Sequence, residues 1–274
     1  MQEGFTLVCY QDTTTGTLTN SDMTAVADQV FSRRNGHYFF TADFKILASG
    51  LYGANSTRAI ISSPTLNAFT AFNIWPINTS NVSANPPKAD LWMEYPPPLP
   101  KGEEIQILHT TSGSDTTTAM LIIGSAGWTK QVPRGIGPVP VFEARFTCSI
   151  TLAAQQWSTP ATMTLEQSLR AGTYAVVGCD MMAANLMFFR LIFNRPKFYM
   201  NVPLRPGSVA NNALGDAPLG YPGLSKFLFG EWGRFATTEL PQIEALGIGT
   251  ATVTAEGRLY LVRLSDALDV QYNS

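Results

Sequence analysis

The sequence predicts an all-β protein built as two jelly-roll or β-sandwich halves, with one or two short helices. Three observations carry this. Short runs rich in Val, Ile, Thr and aromatics recur between Gly, Pro, Asn and Ser clusters. Segments with helical spacing are few. One Gly/Pro-rich stretch near the middle, GWTKQVPRGIGPVP over residues 127–140, separates two similar lengths of chain. Pro cannot donate to a ladder and Gly weakens a strand, so this stretch is a connector. Domains are therefore expected at residues 1–133 and 134–274.

In the first half, Ser21 and Asp22 could cap a helix whose face is Met23, Val26, Ala27 and Val30, stopped at Asn35-Gly36. Strands are expected at residues 44–48, 58–62, 67–75 and 91–95. A hairpin is expected from 103–111 and 116–123 around Ser112-Gly113-Ser114-Asp115. In the second half, strands are expected at 142–152, 161–165, 173–179, 186–193, 198–202, 249–255 and 258–264. A weak helical turn is expected at 241–246. Residues 205–234 read as a long loop. Leu99-Pro100-Lys101-Gly102 and Leu169-Arg170-Ala171-Gly172 each precede strand, polar turn and strand, a faint sign of duplication.

Composition narrows the function. Of 274 residues, 45% are hydrophobic, as in ordinary globular chains, but only 14% are charged against a usual quarter. Low surface charge suits burial against neighbours, because interface cores are depleted in charge. There are 18 Lys and Arg against 20 Asp and Glu, and no basic run exceeds Arg33-Arg34. Nucleic-acid binding needs a basic stripe to release counterions, so no direct nucleic-acid binding is expected. Residues 1–10 have no basic segment ahead of an apolar one, so no secretory leader is expected. No apolar run is long enough to suggest a membrane helix.

The search for chemistry finds no catalytic, cofactor or metal site. Cys9, Cys148 and Cys179 are single and far apart, which suits buried thiols rather than a disulfide framework or a zinc site. Sequons at Asn55, Asn78 and Asn81 are read as chance products of an Asn/Thr/Ser-rich chain. A Ser-His-Asp triad would have to use His37, read as a loop residue, or His109. His109 shares a strand face with Ile105 and Ile107; it is either an active-site rim or a strand-end histidine facing solvent or a subunit neighbour. Glu103 and Glu104 point to opposite faces of a strand and cannot form a dyad alone. Glu231 beside Trp232 is either a carbohydrate-site pairing or an aromatic anchoring its loop. Gly135-Ile136-Gly137-Pro138 lacks the third glycine and the helix of a dinucleotide fingerprint. Arg190, inside Leu-Met-Phe-Phe-Arg-Leu-Ile-Phe, needs a carboxylate if buried; an interface ion pair and a wet sheet face are both open.

The connector at 127–140, the paired Leu-x-x-Gly segments and the irregular loops at 86–100 and 205–235 together resemble the double jelly-roll major capsid proteins of tailless icosahedral bacteriophages and related viruses. The resemblance is architectural. It implies two upright jelly rolls per chain, homotrimeric capsomers of pseudo-hexagonal outline, an icosahedral shell joined by other capsid proteins, and a genome often held within an internal membrane layer. It implies a virion protein made in the host cytoplasm, with no cofactor. About thirteen segments read as strands, where two rolls of eight would be full. A single jelly roll with insertions stays open. The other functions in play are a glycan- or receptor-binding β-sandwich, such as a viral spike or fibre head, and a jelly-roll enzyme acting on sugars.

Overall fold

The computed structural model describes residues 4–28, 31–53, 55–68, 72–74, 90–193, 200–201 and 229–268. The chain forms two compact units. One is Met1–Trp128 with Ala154–Trp157; the other is Thr129–Ala153 with Ser158–Ser274. The change of unit falls inside the Gly/Pro connector. Among the described residues, no sheet mixes strands from before and after it.

The first unit holds β1 (Phe5–Thr14), β2 (Leu18–Asp22), β3 (Thr24–Ala25), β4 (Ser32–Arg34), β5 (His37–Phe39), β6 (Phe44–Tyr52), β7 (Ser56–Ser62), β8 (Phe72–Ile74), β9 (Asp90–Leu91), β10 (Pro98–Leu99), β11 (Glu104–Thr111) and β12 (Asp115–Ser125). One sheet runs β10-β6-β12-β1-β3; the other runs β4-β5-β11-β7-β8, with β2 also on β11. β11 alternates strictly between buried and half-buried residues, the pattern of a strand with one face on a core. The core between the sheets includes Val8, Tyr10, Leu51, Ile61, Ile105, Ile107 and Leu121. The Tyr10 hydroxyl crosses it to donate to the Ile105 carbonyl at 2.5 Å. Gln155 joins this unit, donating its backbone N–H to Gln11 Oε1 at 2.5 Å.

The second unit holds β13 (Phe142–Leu152), β14 (Ala161–Thr162), β15 (Thr164–Leu165), β16 (Thr173–Met182), β17 (Leu186–Ile192), β18 (Met200–Asn201), β19 (Gly233–Ala236), β20 (Gln242–Gly247) and β21 (Ala251–Ser265). Its sheets run β15-β13-β21-β16-β19 and β14-β20-β17-β18.

Lettering the main strands B to I in chain order gives the same two sheets in each unit, B-I-D-G and C-H-E-F. The first unit uses β1, β2, β6, β7, β8, β10, β11 and β12; the second uses β13, β14, β16, β17, β18, β19, β20 and β21. This is jelly-roll order. The likeness reaches single residues. Residues 106–119 and 242–255 both read Gln-Ile-x5-Gly-x2-Thr-x-Thr-Ala, and both are strand H, hairpin and the start of strand I. At the ends of the B–I ladders, the Thr13 and Thr116 hydroxyls lie 3.3 Å apart, and those of Thr151 and Thr252 lie 3.1 Å apart. After strand C the chain changes sheet in both units, at Met23 and Met163, both buried. Strand B is then met by a short strand, β3 or β15. The D–E turn touches the H–I hairpin alike: Ser112 N–H donates to the Asn55 carbonyl, and Ile248 N–H to that of Asn185.

These positions correct the earlier expectation of repetition. Leu99–Gly102 leads from strand G to strand H, whereas Leu169–Gly172 leads into strand D, so the two segments are not equivalent. Neither expected helix forms among the described residues: 21–22 and 24–25 belong to β2 and β3, and 242–247 are β20. At 21–31 the apolar spacing arises because Met23 plugs the core where the chain leaves one sheet for the other. Asn35 and Gly36, at φ 52° and 85°, make the tight hairpin between β4 and β5 rather than a helix stop. Residues 242–247 pair with β17 as strand H. The one short helix among the described residues is a 3₁₀ turn at Leu66–Ala68. Of the expected long loop at 205–234, residues 205–228 lie outside the described residues, as do Asn78 and Asn81.

Candidate functional site

The outer face of the B-I-D sheet in the second unit carries the richest polar chemistry. Strand B here alternates cleanly: Ala144, Phe146, Cys148, Ile150 and Leu152 point to the core, while Glu143, Arg145, Ser149 and Thr151 stand outside. Because β13 and β21 pair without a register slip, Arg145 lies opposite Arg258, and Asp180 of β16 lies opposite Arg258 from the other side. A face of hydroxyls (Ser149, Thr151, Thr252, Thr254) thus gives way to a row of charges.

Beneath that row is a cavity of about 300 Å³ lined by Arg145, Glu166, Asp180, Glu256 and Arg258, with Phe146 and Met181 at its apolar side. Gly257 sits among them because any Cβ there would collide with the Phe146 ring and the Asp180 carbonyl oxygen. Arg258 donates to Asp180 Oδ2 at 3.0 Å, the Tyr260 hydroxyl donates to the same oxygen at 2.7 Å, and Arg258 lies 3.5 Å from Glu143. Burial first, then the hydrogen bond to Asp180 and its charge, push the Tyr260 phenol well above its ordinary pKa. Burial works against the charge on Arg258, but Tyr260, Asp180 and Glu143 outweigh it, so its pKa is raised. Arg145, Glu166 and Glu256 have no ion-pair partner among the described residues.

Further along β21 the same face turns apolar, with Tyr260, Val262, Ala175 and Val177 forming a small buried cluster. The connector covers it. Ile136 N–H donates to the Arg263 carbonyl at 2.8 Å. A Cβ at Gly135 would lie 2.9 Å from Val262 Cγ1, so only glycine allows this approach without displacement. That close packing on a strand accounts for the Gly-Ile-Gly-Pro segment. Beyond its anchor the connector is open, with Val132 73%, Ile136 40% and Val139 56% exposed.

In the first unit the equivalent positions of the same sheet are apolar and buried. Leu7, Ile122 and Ala48 replace Arg145, Arg258 and Asp180, and Met120 replaces Glu256; all are fully buried.

The remaining residues singled out in the sequence are dispersed. His109 is fully buried, with Nε2 3.0 Å from Asp12 Oδ2, which overturns a solvent-facing histidine. It faces inward on β11, and Asp12 faces inward opposite. His37 is also buried, in β5 rather than a loop, with Nε2 3.1 Å from Asp22 and 3.9 Å from Glu104. The Nδ1 atoms of both have no hydrogen-bond partner among the described residues, so neither activates a hydroxyl or thiol. Glu103 accepts from the Thr65 backbone and hydroxyl, away from Glu104. Glu231 is bound to Arg234, and Trp232 is fully buried, an anchor rather than a sugar platform. All three cysteines are buried, and none forms a disulfide among the described residues. Burial pushes the Cys148 thiol up to about 12 and that of Cys179 well above its ordinary range, which leaves both unreactive at neutral pH.

Arg190 is fully buried against Glu244, directly opposite on β20, with Nε 2.7 Å and Nη2 2.6 Å from Oε2. It is neither on a wet face nor dependent on another subunit for its carboxylate. The sequence hides this partner because residues 241–246 have the spacing of a helical turn. The charged row was also missed: its members come from three strands, and no local spacing joins them. No family model, curated protein or solved structure matches the chain.

Proposed function

We propose that this protein is a structural virion protein, a capsid subunit that self-assembles as homotrimeric capsomers into an icosahedral shell, as in tailless bacteriophages. The observation that supports this best is the repetition of one jelly roll within one chain, down to the shared Gln-Ile-x5-Gly-x2-Thr-x-Thr-Ala segment. Three such chains present six like units, the outline a pseudo-hexagonal tile needs. The reading also fits a chain whose thiols are buried and whose histidines face carboxylates without a nucleophile. Its partners are further copies, other capsid proteins and an internal membrane layer. The protein is made in the host cytoplasm and resides in the virion, and it is not an enzyme.

The test is assembly. Purified protein is expected to run as a trimer by light scattering, and negative-stain images of it or its source are expected to show closed particles. A monomer at every concentration, with no particles, refutes the reading. Nucleic-acid titration at low and moderate salt is expected to show no binding, because the net charge is −2 and no basic stripe is present. Glycan recognition by Trp232 loses its support with that residue buried; Tyr95, 86% exposed, remains an available aromatic.

A further inference from the structure

We propose that the outer B-I-D face of the second unit is a contact between two copies of this chain related by a two-fold axis, with Arg134 of each connector entering the charged cavity of the other. The inference rests on the self-assembly reading and names the surface that would join neighbouring capsomers.

Three observations lead here. First, the face is divided into two complementary parts. The connector is basic and apolar: Lys130 and Arg134 are exposed, with no carboxylate partner among the described residues, beside exposed Val132, Ile136 and Val139. The cavity holds Glu166, Asp180 and Glu256 against Arg145 and Arg258, so acid is in excess, and Glu166 and Glu256 have no ion-pair partner among the described residues. Second, the cavity suits a long basic side chain. The carboxylates of Glu166 and Glu256, without an ion-pair partner among the described residues, offer acceptors for its head. Third, both parts lie on one sheet face. Glu256 and Val262 are six positions apart on β21, which is roughly 20 Å. A two-fold axis between them sets each connector over the other copy's cavity. Such an isologous contact closes at two copies, so it joins trimers and does not build them.

A second copy is favoured over an unrelated partner because the charges are matched within the chain itself. The face is also free: its counterpart in the first unit, Leu7, Ile122 and Ala48, is already buried. Of the six large hydrophobic residues exposed among the described ones, Val132, Ile136 and Val139 belong to this connector.

The experiment is sedimentation velocity of the full chain across a concentration series, in low and moderate salt, for wild type, R134E, E256R and the combined R134E/E256R. All the changed side chains are exposed, and thermal melts check that each variant folds. Both single variants are expected to keep the trimer and to weaken association beyond it about tenfold, with added salt doing the same to wild type. The combined variant is expected to restore it. Association beyond the trimer that ignores both reversals, or single losses that the combination does not rescue, overturns the inference and leaves the capsid reading standing. Loss of the trimer itself in R134E overturns the two-fold placement. A wild-type chain that never associates overturns both.

Discussion

The two B-I-D sheets of this chain share strand order, hairpin and ladder ends, yet their outer faces are opposites. In the first unit the row Leu7–Ile122–Ala48 is apolar and buried. In the second the same row is Arg145–Arg258–Asp180, half open above a cavity. Inside, the exchange is one of volume. Val8 faces Leu121 in one core, while Phe146 faces Gly257 in the other, a medium pair against a large and small one. Polar burial is exchanged too. The core position of Asp12 is Ile150 in the second unit, and His109 becomes Ala245. The Arg190–Glu244 couple becomes Ile60–Leu108, which is only partly buried. The backbone plan tolerates either filling, and the side chains decide which face is left open.

Importing the second unit's charge into the first is expected to have the largest effect. Ile122→Arg would bury a guanidinium with no carboxylate and is expected to cost more than about 4 kcal/mol, seen as loss of soluble folded protein. Next comes the Arg190–Glu244 couple. Arg190→Met alone is expected to cost about 3–5 kcal/mol in urea denaturation, because Glu244 is left charged and buried. The double change Arg190→Met with Glu244→Leu, which imitates the first unit, is expected to recover most of it. The volume exchange is smaller. Gly257→Ala is expected to cost about 1–3 kcal/mol by driving a methyl group into Phe146. Phe146→Val in the same chain should relieve part of that cost, and non-additivity in the cycle is the readout.

Alkali acts at the inward position of strand B, which is Cys148 in one unit and Tyr10 in the other. Burial raises both above their ordinary values. The native state therefore holds the Cys148 proton more tightly than the unfolded chain does. Stability is undiminished below the thiol's ordinary value near 9 and falls as pH rises toward about 12. A loss of about 1 kcal/mol by pH 10 is expected in denaturant titrations, diminished in Cys148→Ala. The mildest change is Arg258→Ile, which gives the second unit its counterpart's residue. A half-exposed ion pair contributes little, so less than about 1 kcal/mol is expected.

What the sequence revealed follows from how local each signal is. β11, β13 and the connector announce themselves through alternation, Gly and Pro within a few residues. The helix expected at 21–31 failed because Met23, Val26 and Ala27 mimic helical spacing while the chain is changing sheets. Strand β20 failed because all but one of its residues are buried, leaving no alternation to read. The paired Leu-x-x-Gly segments point to a duplication that in fact lies elsewhere in the chain. Leu-x-x-Gly is cheap to match by accident, whereas the true repeat is scattered over fourteen positions of mostly small and hydroxyl residues. The charged row could not have been found, since Arg145, Asp180 and Arg258 meet only through pairing across β21.

The place of strand I has a consequence for how the chain is made. β12 lies between β1 and β6, and β21 lies between β13 and β16, so the central strand of each sheet is the last to be synthesised. Phe5 waits for Gly124 and Phe142 for Leu261, a span of about 120 residues in both units. At ribosomal speeds of about 5–20 residues per second, the edge of each first strand that strand I will fill stays open for roughly 6–24 seconds, whatever its short partner β3 or β15 does on the other edge. Such long-range pairing is also slow to form once the chain is free. A nascent chain therefore offers an open, apolar β1 edge to its neighbours on the polysome before β12 exists to close it. Slower translation through residues 115–125 would lengthen that exposure.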